Sequence, residues 1–283
     1  MDLIPKVSDL FRKHWEGAAY ALLMLILMAP MMFVFFWMVT ISFQNNVEST
    51  ASPPVFIPRN PTLDGYRYVF NNPSNPFFKY LLNSTIVALG CTIIGLLIGV
   101  PAAFSIARWK QNGLALGILL ARITPGFSFL VPWFITFRWF GMIDTHAALI
   151  ISHLIVGLPI IVWVMIGFFE DLPTELVDAG LIDGSSIYGV LWHIAIPLVK
   201  PGLVATAILS IIFSWNNFNF SVILAGPNTR TLPVAVFNLM SFEQFNWGPL
   251  AAAATMITLP VVAMALVMQR HIVSGLTFGA VKQ

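Results

Sequence analysis

A run of amides set among aromatics is the stretch of this sequence best equipped for chemistry: Ser214-Trp215-Asn216-Asn217-Phe218-Asn219-Phe220. It falls inside an apolar segment, where an amide turned toward hydrocarbon would lose its hydrogen bonds, so the three amides are expected to face protein or a water-filled cavity. Read as one helix, Asn216 and Asn219 share a face and Asn217 lies about 100° further round. Amides beside Trp215 and Phe218 suit the hydroxyls and apolar ring faces of a sugar. They would serve equally well as interhelical hydrogen bonds, and the residues alone leave both uses open.

A second group sits between two apolar stretches. Asp171 can cap a helix start, Pro173 fits a first turn, and Glu175 puts negative charge near the positive end of the helix dipole. Asp183-Gly184 then stops that helix, and Ser185 or Ser186 can cap a second one that ends before Pro197. The result is an elbow of two short helices whose apolar residues, among them Leu181, Ile182, Ile187, Tyr188, Leu191 and Trp192, exceed what a solvated loop needs. A surface gripped by a soluble partner explains them, with some packing the elbow back on its own bundle.

Other chemistry is missing. The carboxylates all fall outside the apolar cores or at their edges, so no acidic group sits at membrane depth to couple an ion gradient. Arg122 is the one formal charge well inside an apolar segment and is read as snorkelling to the nearer surface. His153 is read as an interhelical hydrogen-bonder rather than a proton relay. Neither offers the paired nucleophile and base, or the ligand cluster, of a catalytic or metal site. The lone Cys91 has no partner for a disulfide and reads as a small packing residue. There is no Gly-x4-Gly-Lys-Ser/Thr phosphate loop, so the chain is not expected to hydrolyse ATP.

The elements that must position these groups follow from composition. Of 283 residues, 58% are hydrophobic and 9% charged, which excludes an ordinary soluble domain; the net charge of +2, with basic residues dispersed, gives no nucleic-acid surface. Mean hydropathy is +0.85. Six stretches are long enough to cross a hydrocarbon core: 18–42, 83–107, 114–137, 146–169, 203–224 and 250–269. Lys6, Arg12, Lys13, Arg108, Lys110, Lys200, Arg270 and Lys282 then share one side, which predicts that both termini and the elbow segment 170–202 are cytoplasmic. The first apolar run is too long for a secretory signal core and is expected to be retained. Residues 1–17 form a cytoplasmic lead-in, residues 18–283 one all-α membrane domain, and 43–82 and 225–249 two loops on the far side.

The order Asp178-Ala179-Gly180, three residues, Gly184, nine residues, Ile194, one residue, Ile196-Pro197 resembles the Glu-Ala-Ala loop of ABC importer permeases, Glu-Ala-Ala-x3-Gly-x9-Ile-x-Leu-Pro. It departs from that loop in Asp178, Gly180 and Ile196. Asn83-Ser84, Ile182-Asp183-Gly184, Trp215-Asn216-Asn217-Phe218, Thr231-Leu232-Pro233-Val234 and the tail from Gly275 to Lys282 resemble the carbohydrate branch, specifically its smaller, six-helix maltose-type permease. The resemblance implies a type I importer fold in a bacterial or archaeal cytoplasmic membrane. It implies a second related permease, two ATPase subunits that bind ATP and Mg, an extracytoplasmic solute-binding protein, and no cofactor on this chain. It assigns ATPase coupling to Asp178, Ala179, Gly180, Asp183, Gly184, Ile194 and Pro197, the solute path to Trp215, Asn216, Asn217 and Asn219, and binding-protein contact to Pro227, Thr229, Arg230 and Pro233. The competing expectations are an amino-acid or peptide permease of the same superfamily, a secondary carrier, and a membrane-embedded enzyme.

Overall fold

The computed structural model describes residues 4–123, 126–240 and 246–279, and among these every regular element is helical. In chain order they are α1 (Ile4–Ser42), α2 (Asn46–Ser49), α3 (Asp64–Asn71), α4 (Phe77–Arg108), α5 (Asn112–Ile123), a 3-10 turn (Gly126–Phe129), α6 (Leu130–Trp139) and α7 (His146–Glu170). Then follow α8 (Thr174–Ile182), α9 (Ile187–Val190), a wide π turn (Leu191–Ala195), α10 (Ile196–Leu198), α11 (Lys200–Trp215), α12 (Asn219–Leu224), α13 (Leu232–Phe237) and α14 (Trp247–Gly279). The chain divides into two units: one holds α1, α2, most of α3 and α14 as far as Thr255, the other the chain from Phe70 to Met240 and α14 from Met256 onward.

In the first unit, α1 is 39 residues long and carries Pro30, and its stretch from Ala19 is apolar enough to cross a membrane without any residue of its most apolar window being buried. The chain after it folds back on its end. Ser42 Oγ meets the Tyr66 hydroxyl at 2.8 Å, Gln44 Nε2 donates to the Val55 carbonyl at 2.6 Å, and the Thr62 N–H donates to the Phe43 carbonyl at 2.8 Å.

The second unit is built on α4, α7 and α11. Among the described residues four helices are long and apolar enough to span a membrane, namely α1 from Ala19, α4, α7 and α14 as far as Gln269, and a further pair, Ile187–Leu198 with Lys200–Trp215, is bent by 83°. That bend has a local cause: Pro201 cannot donate to the Pro197 carbonyl and its ring crowds it, so the chain turns at Val199.

Two of the expected single helices are broken. Segment 114–137 is divided between α5 and α6, of 12 and 10 residues, each too short to cross alone; the sequence carries Pro125, which removes a helix donor there, although residues 124–125 lie outside the described set. Segment 203–224 is divided between α11 and α12 because the amides compete with the helix for its backbone. Asn216 Nδ2 donates to the Ile212 carbonyl at 2.9 Å, and Asn217 Oδ1 accepts the Phe220 N–H at 3.3 Å.

One core runs from the membrane helices into the elbow. Val100, Phe104, Ile161, Met165 and Phe169 pack continuously with Val177, Val190, Leu191, Ala195 and Val199, and the Phe104 and Phe169 rings meet edge to face at 5.3 Å. A second core, of Val87, Phe137, Ala148, Leu149, Phe220 and Leu224, closes the opposite end.

Candidate functional site

At the elbow, helix α8 ends as its sequence requires. Gly184 has φ +86°, Ser185 N–H donates to the Gly180 carbonyl at 3.0 Å and Gly184 N–H to Leu181 at 3.1 Å, the left-handed helix stop in which a side chain would be strained. Ser186 then caps α9 by accepting the Gly189 N–H at 3.1 Å. Gly180 is needed for contact, since a Cβ there would stand 2.5 Å from Ile194 Cδ1.

The elbow's apolar residues divide. Leu191 is buried and Ile187 packs on the core, while Ile182 is 85% exposed, Tyr188 71% and Trp192 53%. Asp178 carries an ion pair that the sequence reading did not anticipate, with Arg108 at the end of α4. Ala179, Asp183 and Pro197 are exposed. A cavity of about 450 Å³ opens beside this pair, walled by Phe104, Lys110, Phe169, Glu170 and Thr174.

The break between α11 and α12 gathers the amides but changes their reading. Asn216 and Asn219 are not on one face of one helix, because the helix stops at Trp215 and restarts at Asn219. Asn216 is exposed and Asn217 and Asn219 are partly so. Trp215 is 6% exposed, and its Nε1 donates to the Ile257 carbonyl of α14 at 3.2 Å, near the opening that Pro260 makes in that helix. Its ring is therefore packed into the bundle and offers no stacking face; Phe218 lies instead against Phe237, with centroids 5.3 Å apart. His153 spans the break. Its Nδ1 meets Ser214 Oγ at 2.8 Å and its Nε2 meets Ser221 Oγ at 3.4 Å, so it is the interhelical hydrogen-bonder that its solitary position predicted. The side chain of Arg122 lies outside the described set, as do residues 280–282 of the tail.

The end of the bundle opposite the elbow carries a lip, residues 225–231, held by a polar clamp. Asp144, at the turn before α7 with φ 60°, accepts the Gly226 N–H at 3.0 Å, the Thr229 N–H at 2.9 Å and hydroxyl at 2.8 Å, and the Asn228 Nδ2 at 2.8 Å. Its own N–H donates to the Leu224 carbonyl at the end of α12, at 3.0 Å. Asn83 Nδ2 donates to the carbonyls of Asn228 and Arg230 at 3.0 and 2.9 Å, and its Oδ1 faces His146 Nε2 at 2.9 Å. Ser84 Oγ accepts the Leu232 N–H at 2.8 Å, and Lys79 donates to the Pro227 carbonyl at 3.0 Å.

Burial alone would raise the Asp144 carboxyl, but the hydrogen bonds from Thr229, Asn228 and Gly226 outweigh it and hold the group below the ordinary carboxylate range. Thr229 is 2% exposed with both its donors taken, which makes it an anchor, not the contact point expected of it. Arg230 lies over the Tyr80 ring at 5.9 Å. Pro227 and Asn228 face outward, as do Phe237 at the end of α13 and Asn238 and Met240 beyond it, while Pro233 is half-buried. Asp144 and His146 carry no sequence motif; Asn83-Ser84 does, but as the opening of a helix rather than as a hand on a loop that follows more than 140 residues later.

Residues 95–277 match the family of binding-protein-dependent transport system inner membrane components, and this chain belongs to that family. It is a multi-pass inner-membrane permease subunit of an ABC importer, with ATP hydrolysis carried out by a separate subunit. Among its relatives, the trehalose transport system permease of Mycobacterium tuberculosis is 35% identical over 240 residues, 83% of this chain and 87% of that protein. The sulfoquinovosyl glycerol transport system permease of Agrobacterium fabrum is 32% identical over 261 residues, 91% of each. A bacterial ABC transporter that imports the acidic polysaccharide alginate contains a chain of the same fold, with a TM-score of 0.73 at 17% identity over 93% of this chain and 97% of that one.

Proposed function

We propose that this chain forms half of the translocation pathway of an importer for a sugar or sugar-like solute. The observation that carries the reading is the break at Asn216–Phe218, where amide side chains accumulate inside an apolar bundle and interrupt a helix that would otherwise span it. Names of relatives support the solute class, since they include permeases for trehalose and for sulfoquinovosyl glycerol.

In this reading the chain crosses six times, α5 with α6 making the third crossing and α11 with α12 the fifth, and both termini and the elbow are cytoplasmic. Ile182, Tyr188 and Trp192, framed by Asp178, Ala179, Asp183 and Gly184, enter a cleft on one of two ATPase subunits, which bind ATP and Mg. A second related permease supplies the other half of the path. The outward groups of 225–249 meet the solute-binding protein, with Pro227, Phe237 and Asn238 replacing the buried Thr229. Asn216, Asn217 and Asn219 hydrogen-bond solute hydroxyls as they pass.

The test is uptake by vesicles carrying the assembled complex. Asn216→Leu and Asn217→Leu are expected to lower uptake at least tenfold while leaving the amount of complex unchanged, the loss of about one or two hydrogen bonds to solute. Wild-type uptake in both variants overturns the solute path. A thermal-shift screen of the cognate binding protein identifies the solute, and stabilisation by amino acids or peptides but by no carbohydrate overturns the class.

A further inference from the structure

The lip is held more tightly than a loop needs for solvation. A Gly226 Cβ would stand 2.6 Å from Asp144 Cγ, so the backbone closes directly over the carboxylate. Six hydrogen bonds reach Asp144 from Gly226, Asn228 and Thr229, and Asn83 draws in two of the lip's carbonyls from the other side. Through Leu224 the same turn holds the end of α12, and α12 begins at the amide break. His153 grips that helix lower down. Lip, α12 and break therefore form one body with α4 and α7. None of the groups that hold the lip lies in the amide cluster or in the elbow.

We infer that Asp144 is a positioning residue: by clamping the Gly226–Thr229 lip it fixes the outward surface that receives the loaded binding protein in register with the amide break. The inference rests on the reading that segment 225–249 meets that protein. Without the clamp the lip still exists but samples other positions, so each encounter pays the ordering entropy that the clamp removes in advance. The consequence falls on how much binding protein is needed, not on the hydrolytic machinery.

Asp144→Asn is the informative change. Asparagine keeps the left-handed turn at φ 60°, so only the carboxylate acceptor is lost, and one amide oxygen cannot serve the donors that two oxygens served. In purified complex reconstituted in nanodiscs, ATP hydrolysis is followed as solute-loaded binding protein is titrated. D144N is expected to raise the half-stimulating concentration about tenfold, the equivalent of one charge-assisted hydrogen bond, with complex yield, basal hydrolysis and the maximal stimulated rate unchanged. An unchanged half-stimulating concentration overturns the inference, and so does a fall in maximal rate alone. If D144N does not assemble, Asn83→Ser removes the opposite hand of the clamp and must raise the same concentration; wild-type behaviour there overturns it. Asn238→Arg, on the outward surface and outside the clamp, separates the two readings. A normal titration for N238R beside a shifted one for D144N removes Asn238 from the contact, places that contact at the lip itself and keeps the clamp, whereas a shifted titration for N238R beside a normal one for D144N rejects the clamp alone.

Discussion

The elbow and the lip, at opposite ends of the body formed by α4, α7 and α11, are stabilised in different ways. The elbow keeps its shape with a left-handed glycine and one side-chain ion pair, and turns Ile182, Tyr188 and Trp192 outward. The lip keeps its shape with a polar network made within the chain, centred on Asp144 and Asn83, which leaves only the buried Thr231 hydroxyl of the lip's described side chains without a partner. An apolar face gains its stabilisation only when something covers it, whereas hydrogen bonds already made within the chain gain nothing further from a partner. In the proposed reading the elbow is a surface stabilised further by docking, and the lip a scaffold whose hydrogen bonds already hold its geometry.

The most severe way to break this contrast is to make the elbow's outward face polar. Ile182→Asp combined with Tyr188→Asp is expected to lower co-purification of the ATPase subunits at least a hundredfold, since each lost apolar contact is worth roughly 1.5–3 kcal/mol. Normal recovery of the ATPase with the double variant would place the docking surface elsewhere. Gly226→Ala attacks the lip sterically. It is expected to raise the half-stimulating concentration of binding protein about tenfold, with ATPase co-purification intact, because the added methyl displaces Asp144; a loss of ATPase co-purification as well would show that the two ends are not independent.

Acid sharpens the contrast further. The Asp144 carboxyl is held below its ordinary value of 3.8, so the clamp's contribution is full above that value and disappears as pH falls through the lower folded one. Amide hydrogen exchange at Asn228 and Thr229 is expected to accelerate over that acid range in the wild type, relative to the amides of α7, and to be fast throughout in D144N. Exchange that is insensitive to both pH and substitution would mean the carboxylate is not what holds the loop. The smallest effect is expected from Arg108→Gln. The pair with Asp178 is partly exposed, with side-chain accessibilities of 26% and 50%, and such pairs contribute about 0–1 kcal/mol, so uptake is expected to fall less than about fivefold. A much larger fall would make the ion pair a determinant of elbow position in its own right.

The elbow was the more legible of the two ends because its determinants are close in sequence. The helix stop at Gly184 and the cap at Ser186 are local, and a linear reading finds them, whereas the second helix, expected to end before Pro197, runs through it to Leu198. The clamp was not legible, because Asp144 reaches Gly226 and Thr229 across more than 80 residues, and a lone carboxylate at a helix edge carries no pattern. Asn83-Ser84 is visible as a family-like pair at an expected helix start, but not as a grip on a distant loop, and α4 itself begins earlier, at Phe77. The amides of the fifth apolar segment stand out in the sequence, but periodicity predicts a helix there because it takes no account of side chains that bond their own backbone. The burial of Trp215 depends on Ile257 of α14, a tertiary contact that composition cannot reveal.

The 83° corner at Val199 sets the direction in which the elbow can be felt further along the chain. At nearly a right angle, a push across the long axis of α9 and α10 arrives along the axis of α11. A helix is stiff along its axis, where displacement must compress its hydrogen bonds in series. Over its 16 residues, about 24 Å at 1.5 Å per residue, α11 would carry such a push, in the proposed reading, to its cap at Asn216.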